Sequence, residues 1–306
     1  MSNQPWWEIR VTAPPSLEES VFWRLSRFGC RGMVTETTGE GGEVLLRSYI
    51  PQQQATWLDL AALTLWLRQD ALLQDQPEPQ VRCEALAEED WNQSWKRHWQ
   101  PLEVGDTLAV YPAWIPVPAD LTRKAIRIDP GSAFGTGDHP TTKMCLEALE
   151  FRLAGEKDLR RFTLADVGCG SGILAVGAYL LGCPKMYLID TDPLAIQASA
   201  ENLALNNVPS DAYWLREGSL GELLSVLPEP VKGFVCNIQT EIILGMVPYF
   251  APLTQTDGWG ILSGIPIEKY PPLAEALDRE KWTVATLWKR QGWCCLTIRR
   301  QAPRPF

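Results

Sequence analysis

Apolar positions follow two patterns along the chain. Between residues 6 and 86, four strand-like runs (WWEIRV, MVTET, EVLLRSYI and VRCEAL) are separated by helical runs. The first helical run, SLEESVFWRLSRFG, offers Ser16 as an N-cap, Glu19 at the capping-box position and Gly29 where a helix should stop. A second run extends over about residues 54–73. The order βαββαβ predicts a small α+β domain of ferredoxin-like type, and we expect a recognition role for it because nothing in it looks catalytic.

From residue 162 onward, strand-like and helical runs alternate. TLADV, MYLID, YWLRE, GFVCNI and WGILSGI have the pattern of strands, and GILAVGAYLL and PLAIQASAENLALNN that of helices. This alternation predicts a mostly parallel sheet with helices on both faces. TVATLWKR and WCCLTIRR, which flank Gly292, predict a closing antiparallel hairpin.

Between these two regions lies a segment rich in tryptophan. We predict a domain over residues 1–87, a linker helix over 88–102 and an α/β domain over 103–306. Trp91, Trp95 and Trp99 recur every four residues, which places them on one helical face. We interpret this face as core or interdomain packing, and a base-stacking surface is the alternative.

Composition narrows the class of protein. The chain has 306 residues, is 45% hydrophobic and carries a formal net charge of −9. That length suggests two domains, and its apolar runs are too short to span a bilayer. The N-terminal sequence has no signal-peptide pattern, and the eight cysteines form no CxxC pair. With only two histidines, we expect no zinc site and a reducing, cytoplasmic location.

The net negative charge of the chain indicates which kind of partner it can bind. It argues against nonspecific nucleic-acid binding, which needs a basic footprint, and it suits a basic partner. The alternative is that mild acidity only aids solubility. We expect a monomer.

A glycine-rich motif follows the TLADV strand. It runs from Asp166 to Gly172 (DVGCGSG) and opens a helix, where glycines let the backbone turn sharply beside a ligand. Ile173 stands where a dinucleotide-binding pattern would have glycine. The acidic residue two positions before Gly168 favours a methyltransferase over a dehydrogenase.

Polar residues end the next strands. Asp190 closes MYLID, where a carboxylate can bind both hydroxyls of a ribose. Asp192 precedes Pro193 at the start of a helix, so we interpret it as an N-cap. Asn237 ends GFVCN, where its amide carbonyl can accept a hydrogen bond from a substrate amine. The alternative for Asn237 is that it caps the following helix.

The loop DPGSAFGTGDHPTT, residues 129–142, combines three glycines, a histidine and two threonines before a helical run. Such a density of unusual backbone and polar groups favours a functional loop. The alternative is an elaborate helix cap formed by Thr141 or Thr142.

Taken together, these four motifs resemble the ribosomal protein L11 methyltransferase family (PrmA). DPGSAFGTGDHPTT resembles the most distinctive signature of that family, and DVGCGSGILA, IDTDPLAIQASAENLALNN and LSGI match it in order and spacing. EEDWNQSW resembles its interdomain segment. The likeness covers nearly the whole chain and is strongest over about residues 88–265.

The resemblance implies a class I (Rossmann-like) methyltransferase sheet and S-adenosylmethionine as cofactor. It implies N-methylation of a large-subunit ribosomal protein, at its N-terminal α-amine and at lysines, with the N-terminal domain holding that substrate. By matching position, it implies cofactor contacts at Thr142, Gly168, Asp190 and Asn237, and a catalytic role for Asn237. The cofactor loop adds Asp166 and Gly170, and the loop expected to cover the cofactor contains Phe134, Thr136 and Gly137.

One segment departs from the family. Where the family usually has Asn-Ile-Leu-Ala, this chain has Asn237-Ile238-Gln239-Thr240, so two polar residues beside Asn237 could alter the amine pocket. One alternative is therefore a catalytically impaired, cofactor-binding factor that interacts with the ribosome. A second is an RNA methyltransferase, which the acidic charge and the lack of a basic stripe disfavour.

Overall fold

A computed structural model describes residues 5–38, 43–86, 100–129 and 137–301. The described residues up to Gln100 form one compact unit, and those from Pro101 onward form a second. No helix in these four ranges is long and apolar enough to cross a membrane.

The first unit has the element order β-α-β-β-α-β. Its elements are β1 (Trp6–Ala13), α1 (Glu18–Phe28), β2 (Arg31–Thr38), β3 (Glu43–Pro51), α2 (Trp57–Leu73) and β4 (Gln80–Leu86). The strands form an antiparallel sheet in the order β2-β3-β1-β4. Alternate residues of β1, such as Ile9 and Val11, are fully buried and pack with Leu63 and Leu67 of α2 in one core.

Helix starts in this unit differ partly from the prediction. Ser16 is not the N-cap of α1, because it lies in a 3₁₀ turn over Pro15–Leu17 and its hydroxyl donates to Gln76. The proline-led turn moves the helix start to Glu18. Gly29 does end α1, in the left-handed conformation at φ +94°.

The predicted linker helix over 88–102 falls largely outside the described residues. Positions 87–99, which include Trp91, Trp95 and Trp99, are among those not described. The C-terminal end of the predicted range is not helical, since Leu102 begins a β-strand that pairs antiparallel with the next one. The helical prediction is wrong there.

The second unit contains two sheets and six helices within the described ranges. Its elements are β5 (Leu102–Val104), β6 (Leu108–Pro112), β7 (Lys124–Ile128), α3 (Pro140–Ala154), β8 (Thr163–Val167), α4 (Ile173–Leu180), β9 (Lys185–Asp190), α5 (Pro193–Leu205), β10 (Tyr213–Glu217), α6 (Leu220–Val226), β11 (Val231–Asn237), α7 (Thr240–Leu253), β12 (Thr254–Pro266), α8 (Tyr270–Arg279), β13 (Trp282–Arg290) and β14 (Trp293–Arg300). Strands β5, β6 and β7 form the small sheet.

The large sheet has the predicted architecture. Its order is β10-β9-β8-β11-β12-β14-β13, and β8 to β12 run parallel. Strand β14 is antiparallel to both of its neighbours, which confirms the closing hairpin. Alternate side chains of the central strands enter two separate cores, so Leu164 and Leu188 pack on one face and Val167 and Ile189 on the other. The α/β prediction with a mostly parallel sheet is confirmed.

Candidate cofactor and catalytic site

The polar strand ends converge because of the strand order. Strand β8 lies between β9 and β11, so the chain leaves β8 in one direction for β9 and reaches β11 on the opposite side. Ligands of open α/β sheets bind at such a reversal, outside the carboxyl ends of the strands. The glycine-rich loop after β8, Asp190 at the end of β9 and Asn237 at the end of β11 all lie at this edge.

The loop after β8 is held close to the neighbouring strands. Gly168, Gly170 and Gly172 all have positive φ angles, of +76°, +54° and +76°. The Gly168 N–H donates to the backbone oxygen of Ile189 at 2.8 Å, and a Cβ on Gly168 would overlap the side chain of Ile238. Glycine is therefore required at Gly168 both for backbone conformation and for space.

Asp190 is fixed by the same loop. One carboxylate oxygen accepts the Gly170 N–H at 2.9 Å, and the other accepts the Asp192 N–H at 3.0 Å. Burial raises the pKa of Asp190, and these backbone hydrogen bonds oppose that effect. Each oxygen of an ionised carboxylate can accept a further hydrogen bond, so the group remains able to bind a pair of hydroxyls.

Asp192 has the structural role predicted for it. It is the N-cap of α5, and its side chain accepts the Leu194 N–H at 2.9 Å. Pro193 occupies the first helical position. The capping interpretation is confirmed, so the two nearby aspartates differ: Asp190 is a half-buried acceptor, and Asp192 is a helix cap.

Asp166 is a fully buried carboxylate on β8. Neither of its oxygens accepts a hydrogen bond of good geometry from the described residues, although the nearby Ala175 N–H acts to lower its pKa. Burial, and next the charge of Asp190, raise the pKa of Asp166 to about 7. A buried carboxylate in this state is costly unless a ligand supplies donors or positive charge.

Asn237 is buried at the end of β11, with 8% of its surface exposed. Its amide nitrogen donates to the Thr142 hydroxyl at 3.4 Å, and its carbonyl oxygen accepts no hydrogen bond from the described residues. The following helix is capped by Gln239, so the interpretation of Asn237 as a helix cap is wrong. A buried carbonyl oxygen without a donor suits a site that receives one from a ligand.

The loop before α3 is described from Gly137 onward. Gly137 has φ +91°, and a Cβ there would lie 3.0 Å from Val110 and 3.1 Å from Ile173, the first residue of α4. The predicted site residues Phe134 and Thr136 lie outside the described residues.

The cap of α3 is neither of the two threonines. The helix begins at Pro140, and its N-cap is His139, whose ring nitrogen Nδ1 accepts the Thr141 N–H at 3.3 Å. Thr142 is fully buried in the first turn, with its hydroxyl towards Asn237. The cap interpretation of Thr141 and Thr142 is therefore wrong, since a histidine takes that place.

Comparison with known proteins decides the family. The model of the ribosomal protein L11 methyltransferase family (PrmA) matches residues 5–301. The chain belongs to this family. As a member it is an S-adenosylmethionine-dependent methyltransferase, and S-adenosylmethionine is its cofactor.

Two curated relatives and one solved structure illustrate the similarity. A ribosomal protein L11 methyltransferase of Thermosynechococcus vestitus is 43% identical over 297 residues, covering 97% of each chain. One from Cyanothece sp. is 42% identical, covering 96% of this chain and 98% of the relative. The crystal structure of a ribosomal protein L11 methylase from Lactobacillus delbrueckii subsp. bulgaricus is 30% identical, covers 67% of this chain and all of its own, and gives a TM-score of 0.58.

The residues at the sheet edge fit the cofactor of this family. S-adenosylmethionine has ribose hydroxyls that could bind the Asp190 carboxylate. Its amino and sulfonium groups carry hydrogen-bond donors and positive charge, and the Asp166 carboxylate has no such partner among the described residues. The left-handed glycines leave room for a ligand against the backbone of the loop. In contrast, the described residues contain no group of three or more metal-ligating side chains.

Two polar side chains of α5 support the loop and were not predicted from the sequence. The Ser199 hydroxyl donates to the backbone oxygen of Gly170 at 2.9 Å, and the Asn202 amide donates to that of Ser171 at 2.9 Å. Both Ser199 and Asn202 are fully buried. The sequence feature that could have indicated them is the presence of polar residues within SAENLALNN at positions that a helix buries against the sheet.

The segment in which the sequence departs from the family, Gln239 and Thr240, lies beside the sheet edge that carries Asn237. Thr240 is buried, and its hydroxyl points to the backbone oxygen of Gly264 at 3.5 Å. Gln239 is half-buried and begins α7 through its backbone oxygen, which accepts the Ile242 and Ile243 N–H groups. The Thr240 hydroxyl is thus accommodated by the local backbone, whereas the contacts of Gln239 at the helix start come from its main chain.

Proposed function

We propose that this chain transfers methyl groups to amino groups of ribosomal protein L11, at its N-terminal α-amine and at lysine side chains. The relatives at 40–43% identity are named ribosomal protein L11 methyltransferases, which supports L11 as the substrate. The observation that supports amine methylation best is the buried carbonyl oxygen of Asn237, which lacks a donor at the edge where the glycine loop and Asp190 meet. We assign the first 87 residues to holding the substrate and residues 103–306 to catalysis, in the cytoplasm.

In this proposal Thr142, Gly168, Asp190 and Asn237 contact the cofactor. Asp190 accepts the two ribose hydroxyls, and the backbone of Gly168 and Gly170 lies against the nucleoside. Gly137 lies close to Ile173 at the start of α4. We assign the covering of the cofactor to Phe134, Thr136 and Gly137, as the resemblance to the family implies. Asp166 is buried on β8, next to the glycine-rich loop. Because its pKa is raised to about 7, a positively charged ligand nearby would shift its protonation state.

The chemistry requires a neutral amine nitrogen. When bound, the cofactor supplies an electrophilic methyl group next to a positive sulfonium. At pH 7 the free base of an α-amine costs about 1 kcal/mol and that of a lysine about 4.6 kcal/mol, from their ordinary pKa values. A carboxylate at the amine would hold its proton, whereas the neutral Asn237 amide can accept an N–H and orient the lone pair. Alignment by such contacts is the main contribution that a protein makes to a displacement reaction.

A methyl-transfer assay with purified ribosomal protein L11 tests the proposal. The product is digested and its methylated amines are identified by mass spectrometry. The proposal expects label at the α-amine and at lysines, unaffected by nuclease treatment. Label confined to RNA would refute it in favour of an RNA methyltransferase.

A second experiment uses a double variant to test the alternative that the chain is a catalytically impaired, cofactor-binding factor. Gln239→Leu combined with Thr240→Ala restores the residues usual in the family. We expect the natural chain to be active and the double variant to change its rate without creating activity. An inactive natural chain and an active double variant would show that the departure had disabled this protein.

A further inference from the structure

Two arginines meet at the end of the large sheet that lies away from the cofactor edge. Arg299, near the end of β14, is the antiparallel partner of Trp259 on β12. Directly opposite residues of antiparallel strands carry their side chains on the same face of the sheet. Arg152, in the last turn of α3, places its guanidinium carbon 4.9 Å from the centre of the Trp259 ring. Both arginines are therefore neighbours of one tryptophan on one face.

The tryptophan between the two arginines is fixed in the core. Trp259 is 1% exposed and packs against Phe162, with the ring centres 5.8 Å apart. Its indole N–H donates to the Glu156 carboxylate at 3.0 Å. Glu156 follows the end of α3, so its carboxylate turns to the indole and forms no ion pair with Arg152. The ring thus forms a fixed apolar floor beneath the Arg152 guanidinium.

The charges of these two arginines are not neutralised within the described residues. Neither Arg152 nor Arg299 has an ion-pair or hydrogen-bond partner there for its side chain, and the Arg152 Nε is buried without an acceptor. Burial lowers the pKa of Arg152, Glu156 opposes this effect, and the positive charge of Arg299 adds to it. A half-buried guanidinium beside a second one is unfavourable unless an anion lies near both.

Two basic side chains at the same end of the sheet show how a carboxylate is supplied elsewhere. Lys232, at the start of β11, pairs with Asp257, and Arg160, before β8, pairs with Asp158. The chain has 37 acidic and 28 basic residues, so carboxylates are not scarce. Because the fold brings none of the described ones to Arg152 or Arg299, an external anion would meet two uncommitted guanidinium groups.

The donor groups suit a phosphoryl group. A guanidinium presents parallel N–H donors that match the oxygens of a phosphate or a carboxylate two at a time. One arginine already satisfies a carboxylate, whereas the additional oxygens of a phosphate allow a second arginine to bind it. Thr283, the partner of Arg299 on β13, adds a hydroxyl on the same face. The net charge of −9 disfavours a long polyanion, so a small phosphate fits better than a nucleic acid.

We propose that Arg152 and Arg299 form a binding site for a single phosphoryl group, as inorganic phosphate or as a phosphate monoester. The site lies about 13 Å along β12 from Ser263, which is the partner of Asn237. Its ligand is therefore distinct from the cofactor, and the proposal does not depend on methyl transfer.

Isothermal titration calorimetry of the full chain with inorganic phosphate, at constant ionic strength in chloride, tests the proposal. We expect one phosphate to bind each chain. Arg299→Gln removes an exposed side chain, and the affinity should fall roughly tenfold or more, the equivalent of one lost charge-assisted hydrogen bond. Arg152→Gln should weaken binding by a similar factor, and circular dichroism should show both variants folded.

The control variant is Arg160→Gln, which removes a positive charge at the same end of the sheet. The Arg160 side chain is 88% exposed and is already paired with Asp158, so phosphate affinity should remain that of the natural chain. All three variants should bind S-adenosylmethionine normally.

Three results would overturn the proposal. They are a natural chain that binds no phosphate, an Arg299→Gln variant that binds it unchanged, and an Arg160→Gln variant that loses it equally. Glycerol phosphate in a parallel titration distinguishes the two sources of the group. Tighter binding of this ester than of the free ion, again lost in Arg299→Gln, would support the site and identify a monoester as its ligand.

Discussion

Replacing Asp190 and Asp192 separately distinguishes a ligand contact from a helix cap two residues away. Asp190→Ala removes the carboxylate that is positioned by the Gly170 and Asp192 N–H groups at 2.9 and 3.0 Å. If both ribose hydroxyls bind this carboxylate, two charge-assisted hydrogen bonds are lost, each contributing about 1.5–3 kcal/mol. A loss of about 3 kcal/mol corresponds to a roughly hundredfold weaker cofactor affinity.

Asp192→Ala removes only the hydrogen bond to Leu194 that caps α5. The expected effect is a loss of about 1 kcal/mol in the free energy of unfolding, with cofactor affinity close to that of the natural chain. Isothermal titration calorimetry with S-adenosylmethionine and urea unfolding measure the two quantities. The reasoning is refuted if Asp190→Ala binds the cofactor as tightly as the natural chain, or if Asp192→Ala weakens binding as strongly.

Three further predictions concern the walls of the site. The buried Asp166 has a pKa of about 7 against an ordinary 3.8, so the folded state holds a proton that the unfolded state releases. The cofactor-free protein should lose stability, on the order of 4 kcal/mol, as pH rises from about 4 to about 7, and Asp166→Asn should remove this slope in urea unfolding. The same slope in the variant would contradict the assignment. Gly168→Ala should abolish cofactor binding in calorimetry because of its φ of +76° and the overlap with Ile238, whereas Gly245→Ala, in open space on α7, should not reduce binding. Asn202→Ala should cost about 1–3 kcal/mol of stability in urea unfolding and weaken cofactor binding, because the Ser171 carbonyl loses a donor; unchanged stability would show that this contact is dispensable.

The sequence predicted well where local chemistry determines the backbone. The glycines at positions 168, 170 and 172 indicated a tight loop. All three have the positive φ angles that such a loop requires. The Asp192-Pro193 pair carried a complete cap signal, and the cap formed where it was expected. The alternation of strands and helices fixed the parallel sheet, because parallel strands need crossovers of that kind.

Prediction failed where a contact distant in sequence competes with a local one. Ser16 has the residue type of an N-cap, but Pro15 begins a 3₁₀ turn and Gln76 takes the serine hydroxyl. The supporting roles of Ser199 and Asn202 depend on backbone oxygens about 30 residues away, so a polar residue on the buried side of the helix could be noticed in the sequence but its partner could not. The division of α2 into a buried and an exposed apolar face was also hidden, since a run of leucines and alanines does not show which face is buried.

Single-turnover methyl transfer by Asn237→Ala, measured beside its cofactor affinity, tests the central claim most directly. Loss of an acceptor used by the amine should reduce the rate about ten- to a hundredfold, the equivalent of a buried hydrogen bond, while the cofactor still binds. An unchanged rate on ribosomal protein L11, with the protein folded and saturated with cofactor, would contradict the role of Asn237.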